Sequence, residues 1–204
     1  MSMNEPTQFG HQDVKLVAED VGYQGFFRLL RLTLQHKLFA GGWSKKITRE
    51  LFVRGHAAAV LPYDPIRDEI ILVEQFRVGA VYGEGNPWLF EVVAGIIDEG
   101  ETAEAVVHRE AQEEAGLTFT SLTPISSYYP SPGGCSERIS LFLGEVDASL
   151  APKHGGLSDE SEDIRVHRVP RRQAMQWLAE GKLDNASTII ALQWLALRRA
   201  GVIE

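Results

Sequence analysis

A chain of 204 residues, 44% of them hydrophobic and 24% charged, has enough apolar content to bury one sizeable core. Its formal charge of −8 and pI near 5.3 exclude a general nucleic-acid or anionic-membrane surface, because phosphate backbones select clustered Lys and Arg. The lone cysteine, Cys135, excludes an intrachain disulfide framework; no apolar run approaches a membrane span, and the opening MSMNEPTQFGHQD carries neither a basic leader nor an apolar core, so cytoplasmic residence is expected.

Residues 13–53 alternate apolar and polar positions in pieces such as Leu30 to Leu34 and Ile47 to Val53, with Gly41-Gly42 between them, and this predicts antiparallel strands. His56 to Tyr63 and Glu69 to Glu74 are β-rich runs around Asp64-Pro65-Ile66-Arg67-Asp68, a turn with Pro and Asp where they are favoured, so they read as a hairpin. Trp88 to Val93 reads as a strand entering a loop bracketed by Ala94, Gly95 and Gly100, and a helix is expected from Thr102 to Gly116. Further strands are expected at Thr123 to Tyr129, Ile139 to Val146 and Ile164 to Val169. Two helices close the chain: one follows Pro170 at N1 and ends near Gly181, and one runs from Ala186 to Arg199 with Ile190, Trp194 and Leu197 on its core stripe. Helices flanking a mixed sheet make an α/β fold, an α/β/α sandwich over residues 54–204, with a small N-terminal antiparallel β-sheet over residues 1–53.

The helix beginning near Thr102 carries the chemistry. Glu110, Glu113 and Glu114 stand at i, i+3 and i+4, so their carboxylates share one face and repel, and a cation that prefers hard oxygen donors would relieve them. Mg2+ or Mn2+ suits such donors, since no Cys/His set accompanies them and none of the six histidines makes a zinc spacing. The same residues also describe an ordinary solvated helix: Thr102 caps it, Glu104 suits its first turn, Arg109 can pair with Glu113, and Gly116 can take a left-handed end. Local physics leaves the two readings open.

Gly95, Glu101, Arg109-Glu110, Glu113-Glu114 and Gly116-Leu117 match the pattern GX5EX7REUXEEXGU at every fixed position, with Ala111 small where a larger aliphatic residue is usual. On these residues the chain resembles the Nudix hydrolase family. Pro132, 16 residues beyond Gly116 and set in SPGGCSER, is similar to the element that marks ADP-ribose pyrophosphatases within that family. The stretches GFFRL, RELFVRGHAAAVLPYDP, EQFR, GLSDESEDIRVH and KLDNASTIIALQWL extend the likeness to the bacterial members of that subfamily.

The resemblance implies Mg2+-dependent cleavage of ADP-ribose to AMP and ribose 5-phosphate, by a homodimer that exchanges its N-terminal sheets. It implies that Glu110, Glu114 and the main-chain carbonyl of Ala94 bind the metal with Glu113 nearby, while Glu101 and Arg109 hold the glutamates in place. In the acidic loop SDESED it implies Glu160 as the base that deprotonates the attacking water, with Glu162 as its nearest competitor. Phe26, Arg49 and Arg77 correspond to positions that stack on adenine or meet the diphosphate, and Ser131 to Arg138, including Glu137, to the terminal-ribose side. The alternatives are a pyrophosphatase for another nucleotide sugar such as GDP-mannose, and a non-catalytic ADP-ribose sensor; the second lacks both a decayed box and a DNA-binding extension to support it.

Overall fold

The computed structural model describes residues 8–157, 159 and 161–203, which divide into two compact units. The smaller comprises the described residues up to Arg54 together with Ser131–Glu137. It carries β1 (Val14–Gln24), β2 (Arg28–His36) and β3 (Ile47–Val53) as an antiparallel meander. The alternation in β2 sets Leu30 opposite Val21 and Leu51, and Leu30 is buried while β1 is exposed along its whole length. The segment Ser131–Glu137 is tied to the end of β3 by backbone bonds from Phe52 N to Gly134 O (2.8 Å) and from Ser136 N to Phe52 O (3.2 Å).

The larger unit begins with β4 (His56–Asp64), β5 (Glu69–Phe76), β6 (Trp88–Glu91) and β7 (Val93–Ile97). It continues through α1 (Ala103–Ala115), β8 (Ser121–Tyr128), β9 (Ile139–Glu145), β10 (His154–Gly155), β11 (Ile164–Pro170), α2 (Arg171–Ala179) and α3 (Ala186–Arg199). Its sheet runs β10-β11-β5-β4-β9-β8, with β6 beside β5 and β7 beside β4. The β4–β9 pair is parallel and the others are antiparallel, so the sheet is mixed.

Both faces of this sheet are covered, which is why its central strands read as unbroken apolar runs instead of alternating ones. The parity of each strand still decides which layer a side chain joins. Ala58, Val60, Ile71, Val73 and Phe142 pack against Val106, Val107, Ala111 and Ala115 of α1. Their neighbours Ala59, Leu61, Ile70, Leu72, Leu141 and Leu143 pack against Ala174 of α2 and Ala191, Leu192 and Leu195 of α3. The α/β/α sandwich expected from the sequence is thus built by this unit, and the separate small sheet by the other. Ala111, the small residue in an otherwise conforming motif, is fully buried at the α1–sheet contact.

Several sequence expectations are corrected. Trp88 to Val93 is not one strand: Val92 donates its N–H to Thr188 Oγ1 (3.1 Å), so the chain leaves β5 after β6 and joins β4 as β7. Ala94 and Gly95 therefore lie within β7, and the loop proper follows them. Pro170 is the N-cap of α2 and not N1, because it still pairs with Glu69 as the last residue of β11. In α3, Leu197 is 46% exposed, and the buried stripe is Thr188, Ala191, Leu192 and Leu195. The Asp64 to Asp68 turn forms as expected, with the buried Asp64 carboxylate accepting from Ile66 N and Arg67 N (both 2.9 Å) and from Ala148 N (2.9 Å).

Candidate active site

The acidic helix is placed by features legible in its sequence. Thr102 Oγ1 accepts from Ala105 N (3.2 Å) at the start of α1. At the other end Gly116 is left-handed (φ 61°), and its N–H and that of Leu117 close onto Gln112 O and Ala111 O (3.1 and 2.9 Å). With Val106, Val107, Ala111 and Ala115 against the sheet, Glu114 is drawn inward to 1% exposure, while Glu110 and Glu113 stay half-buried.

Each glutamate is held by a different device. The Glu114 carboxylate accepts from Ala94 N (3.2 Å) and from Nε2 of the buried Gln75 (3.3 Å). Gly95 allows α1 to lie this close, because a Cβ at that position would overlap the Glu110 carboxylate. Arg109 gathers the rest: Nε and Nη2 donate to the two oxygens of Glu101 (both 3.3 Å), and Nη1 donates to Glu110 Oε1 (2.8 Å) and Glu113 Oε2 (3.1 Å). Glu101 also accepts from Asp98 N (3.1 Å), and the Arg109 bonds hold its carboxyl below the usual range. Glu101 and Arg109 are thus engaged with each other and with the helix.

Burial pushes the Glu114 carboxyl up to about 8, and the Glu110 charge adds to the push against the Ala94 N–H and Arg77. Burial likewise raises Glu110 to about 7, against the pull of Arg109 and with Glu113 adding to the rise. The Glu162 charge bears on both, so this residue lies close to α1. Gly155 and Gly156 bring the chain there: a Cβ on Gly155 would overlap the Glu114 carbonyl oxygen, and Gly156 N donates to Glu113 O (2.9 Å). Glu160, the expected base, lies outside the described residues.

The remaining expected residues fall into two groups. Arg77 lies in the larger unit, where its Nε meets Glu91 Oε2 at 2.5 Å. Phe26, Arg49, Ser131 and Glu137 belong to the smaller unit. There Phe26 is 89% exposed and edges onto Phe27, Arg49 donates to the carbonyl of its neighbour Thr48 (2.8 Å), and Ser131 is exposed. Glu137, 7% exposed, pairs with Arg54 (3.4 Å). Sequence reasoning missed Gln75, Glu91 and Asn185. For Gln75 a signal existed, since Ile71, Val73 and Gln75 share one strand face, and a polar residue ending an inward apolar series marks a buried partner.

Among the described residues no set of three or more His, Cys, Asp or Glu side chains is gathered into a ready cation nest, because Arg109 takes up Glu110 and Glu113. The donor chemistry nonetheless fits a hard divalent ion: the Glu110 charge bears on the buried Glu114, and the atoms both residues offer a cation are carboxylate oxygens. Their raised values set a pH expectation. A carboxyl that binds its proton more tightly when folded stabilises the fold below the unfolded value of 4.5, and this is lost as pH rises toward about 8. A bound cation needs the ionised form, so Mg2+ affinity should rise between pH 6 and pH 8.5, by up to about tenfold per pH unit for each proton displaced. Calorimetric titration with Mg2+ at several pH values checks this, and a flat profile would refute it.

Residues 53–192 match the NUDIX domain. The chain is 53% identical over 194 residues to the ADP-ribose pyrophosphatase of Escherichia coli (strain K12), covering 95% of this chain and 93% of that one. It is 36% identical over 191 residues to the GDP-mannose pyrophosphatase of Cronobacter sakazakii, covering 91% and 96%. Among solved structures, one described as an ADP compounds hydrolase superposes with a TM-score of 0.71 at 20% identity, covering 94% of this chain and 98% of that one, and shows the shared fold.

Proposed function

This chain belongs to the NUDIX family, and from that premise we propose that it is a hydrolase that cleaves ADP-ribose to AMP and ribose 5-phosphate with Mg2+. The observation that carries the reading is the buried Glu114 beside Glu110, held by Ala94 N–H and Gln75 at the turn from β7 to α1. Ionised carboxylates in that setting are costly without a cation.

Glu110, Glu114 and the Ala94 carbonyl are the proposed Mg2+ ligands, with Mn2+ as a substitute and Glu113 nearby. When bound, the ion neutralises diphosphate oxygens and activates water. Arg109 keeps the glutamates in fixed rotamers until the ligand set is completed. Phe26, Arg49, Ser131 and Glu137 are assigned to the nucleotide and sugar ends of the substrate, and Arg77 to its diphosphate. The proton of the attacking water goes to the acidic loop after β10: to Glu160 on family resemblance, with Glu162, whose charge reaches Glu110 and Glu114, as competitor. The exposed Val14, Leu16, Val21 and Tyr23 of β1 support a homodimer that covers this sheet. An acidic soluble enzyme of this kind is assigned to the cytoplasm.

Hydrolysis of ADP-ribose in 18O-labelled water with Mg2+, followed by mass analysis, should yield AMP and ribose 5-phosphate with the label in one of them. Ranking nucleoside diphosphate sugars by kcat/KM tests the competing GDP-mannose reading, and binding without turnover would establish a sensor instead. Glu160→Gln and Glu162→Gln then identify the base. The responsible variant should lose about 10²–10⁴-fold in kcat with KM nearly unchanged, and wild-type turnover by both would remove this loop from the chemistry.

A further inference from the structure

We infer that Glu91 and Asn185 form a positioning pair that aims Arg77 at the substrate diphosphate, an inference that rests on the nucleotide-sugar reading above. Gln75, which reaches Glu114, and Arg77 are two residues apart on extended chain. The strand period puts them on one face, about 7 Å apart, so Arg77 points to the side of the sheet where the glutamates lie.

Its side chain is not left to find its own place. Arg77 N donates to Pro87 O (2.8 Å), and its Nε donates to Glu91 Oε2 (2.5 Å). Glu91 is only 5% exposed, and its other oxygen accepts from Asn185 Nδ2 (2.5 Å). Asn185 is fixed in turn, because its Oδ1 caps α3 by accepting from Thr188 N (3.2 Å) and Thr188 Oγ1 (3.3 Å). Thr188 is fully buried and its Oγ1 accepts from Val92 N (3.1 Å), next in sequence to Glu91, so the ring of contacts closes on itself.

Only one edge of the guanidinium is used by this ring. Among the described residues Nη1 and Nη2 of Arg77 have no hydrogen-bond partner, and the side chain is 41% exposed. A guanidinium held by Nε and open at its terminal nitrogens presents the fork that suits two phosphate oxygens. With its second oxygen taken by Asn185 at the start of α3, the buried Glu91 carboxylate is held at both oxygens and keeps that fork in one orientation.

The test is a double-mutant cycle on binding, free of turnover. ADP-ribose dissociation constants are measured calorimetrically in EDTA for wild type, Arg77→Ala, Glu91→Gln and the double variant. Each single change should weaken binding about tenfold, and the double variant should bind no more weakly than Arg77→Ala alone. Asn185→Ser retains an oxygen able to cap α3 but cannot reach Glu91. It should weaken binding at least threefold at unchanged Tm, and it serves in the same cycle if Glu91→Gln does not fold. With Mg2+ present, the positioning variants should raise KM while kcat stays within about twofold. Wild-type affinity in Glu91→Gln or Asn185→Ser, or losses that multiply with that of Arg77→Ala, would overturn the inference. A wild type that binds no nucleoside diphosphate sugar is a different result, and it would sink the substrate reading and this inference together.

Discussion

Replacing Glu114 with Gln should abolish useful turnover and, at the same time, make the metal-free protein more stable. Its carboxyl is 1% exposed and pushed up to about 8 by burial and by Glu110, so near and above that pH the fold carries an ionised group it disfavours. Gln has the same shape and keeps both contacts. Its Oε1 can accept from Ala94 N, and its Nε2 can donate to the Gln75 side-chain oxygen once that amide turns. The gain should be about 1–2 kcal/mol at pH 8.5, or a few degrees in Tm. It should vanish near pH 5, where the wild-type carboxyl is protonated. Activity moves the other way, since the neutral amide is a poor ligand for a hard cation, and kcat should fall by at least about 10³-fold. Saturating Mg2+ should reverse the order of stabilities, because only the wild type gains from binding. Glu104→Gln on the exposed side of α1 is the control and should change neither property. Turnover within tenfold of wild type in Glu114→Gln would remove the carboxylate from the chemistry.

This pairing of gain and loss separates the two readings that local sequence physics left open. A solvated acidic face would leave Glu114 exposed and its substitution neutral. What the residue pattern could not convey was the degree of burial, because that depends on Gln75, 39 residues away in sequence, and on Ala94, 20 residues away. Helix α1 itself was legible from Thr102 to Gly116, since its caps and its periodic apolar face are local properties. The hairpin of β4 and β5 was legible for the same reason.

Local pattern fails where a distant partner overrides it. Trp88 to Val93 is β-prone apart from Glu91 and reads as one strand, yet a threonine 96 residues later takes the N–H of Val92 and breaks it. In α3, Leu197 is apolar and sits at helical spacing from Trp194, but the sheet contacts the face of Ala191 and Leu195 instead. Only family likeness points to Arg77, and nothing in its sequence neighbourhood announces Glu91 or Asn185. Gly155 carries no local signal of its role, since a glycine in a polar stretch ordinarily marks a turn and here marks a close approach of two backbones.

Gly155→Ala should therefore be far more damaging than its chemistry suggests. The added methyl would overlap the carbonyl oxygen of Glu114, which is helix backbone and cannot swing aside as a side chain can. Helix α1 is pinned at this end by Ala111, Ala115 and Leu117, all essentially buried, so the strand must retreat. Its retreat strains the Gly156 N to Glu113 O bond (2.9 Å) and the pairing of His154 and Gly155 with Arg165 and Ile164. A cost of about 2–3 kcal/mol is expected from overpacking of this kind, which lowers Tm by about 5–10 °C. The segment that follows carries Glu162 toward Glu110 and Glu114, and a shift of about 1 Å there should lower kcat by about 10²-fold. KM should change little, since no residue assigned to hold the substrate lies on the displaced strand. Gly79→Ala, where an added Cβ meets nothing within 4 Å, should leave Tm unchanged. If Gly155→Ala melts and turns over like the wild type, β10 does not set the position of the acidic loop. If instead Tm falls and kcat does not, the loop reaches its working position independently of the strand before it.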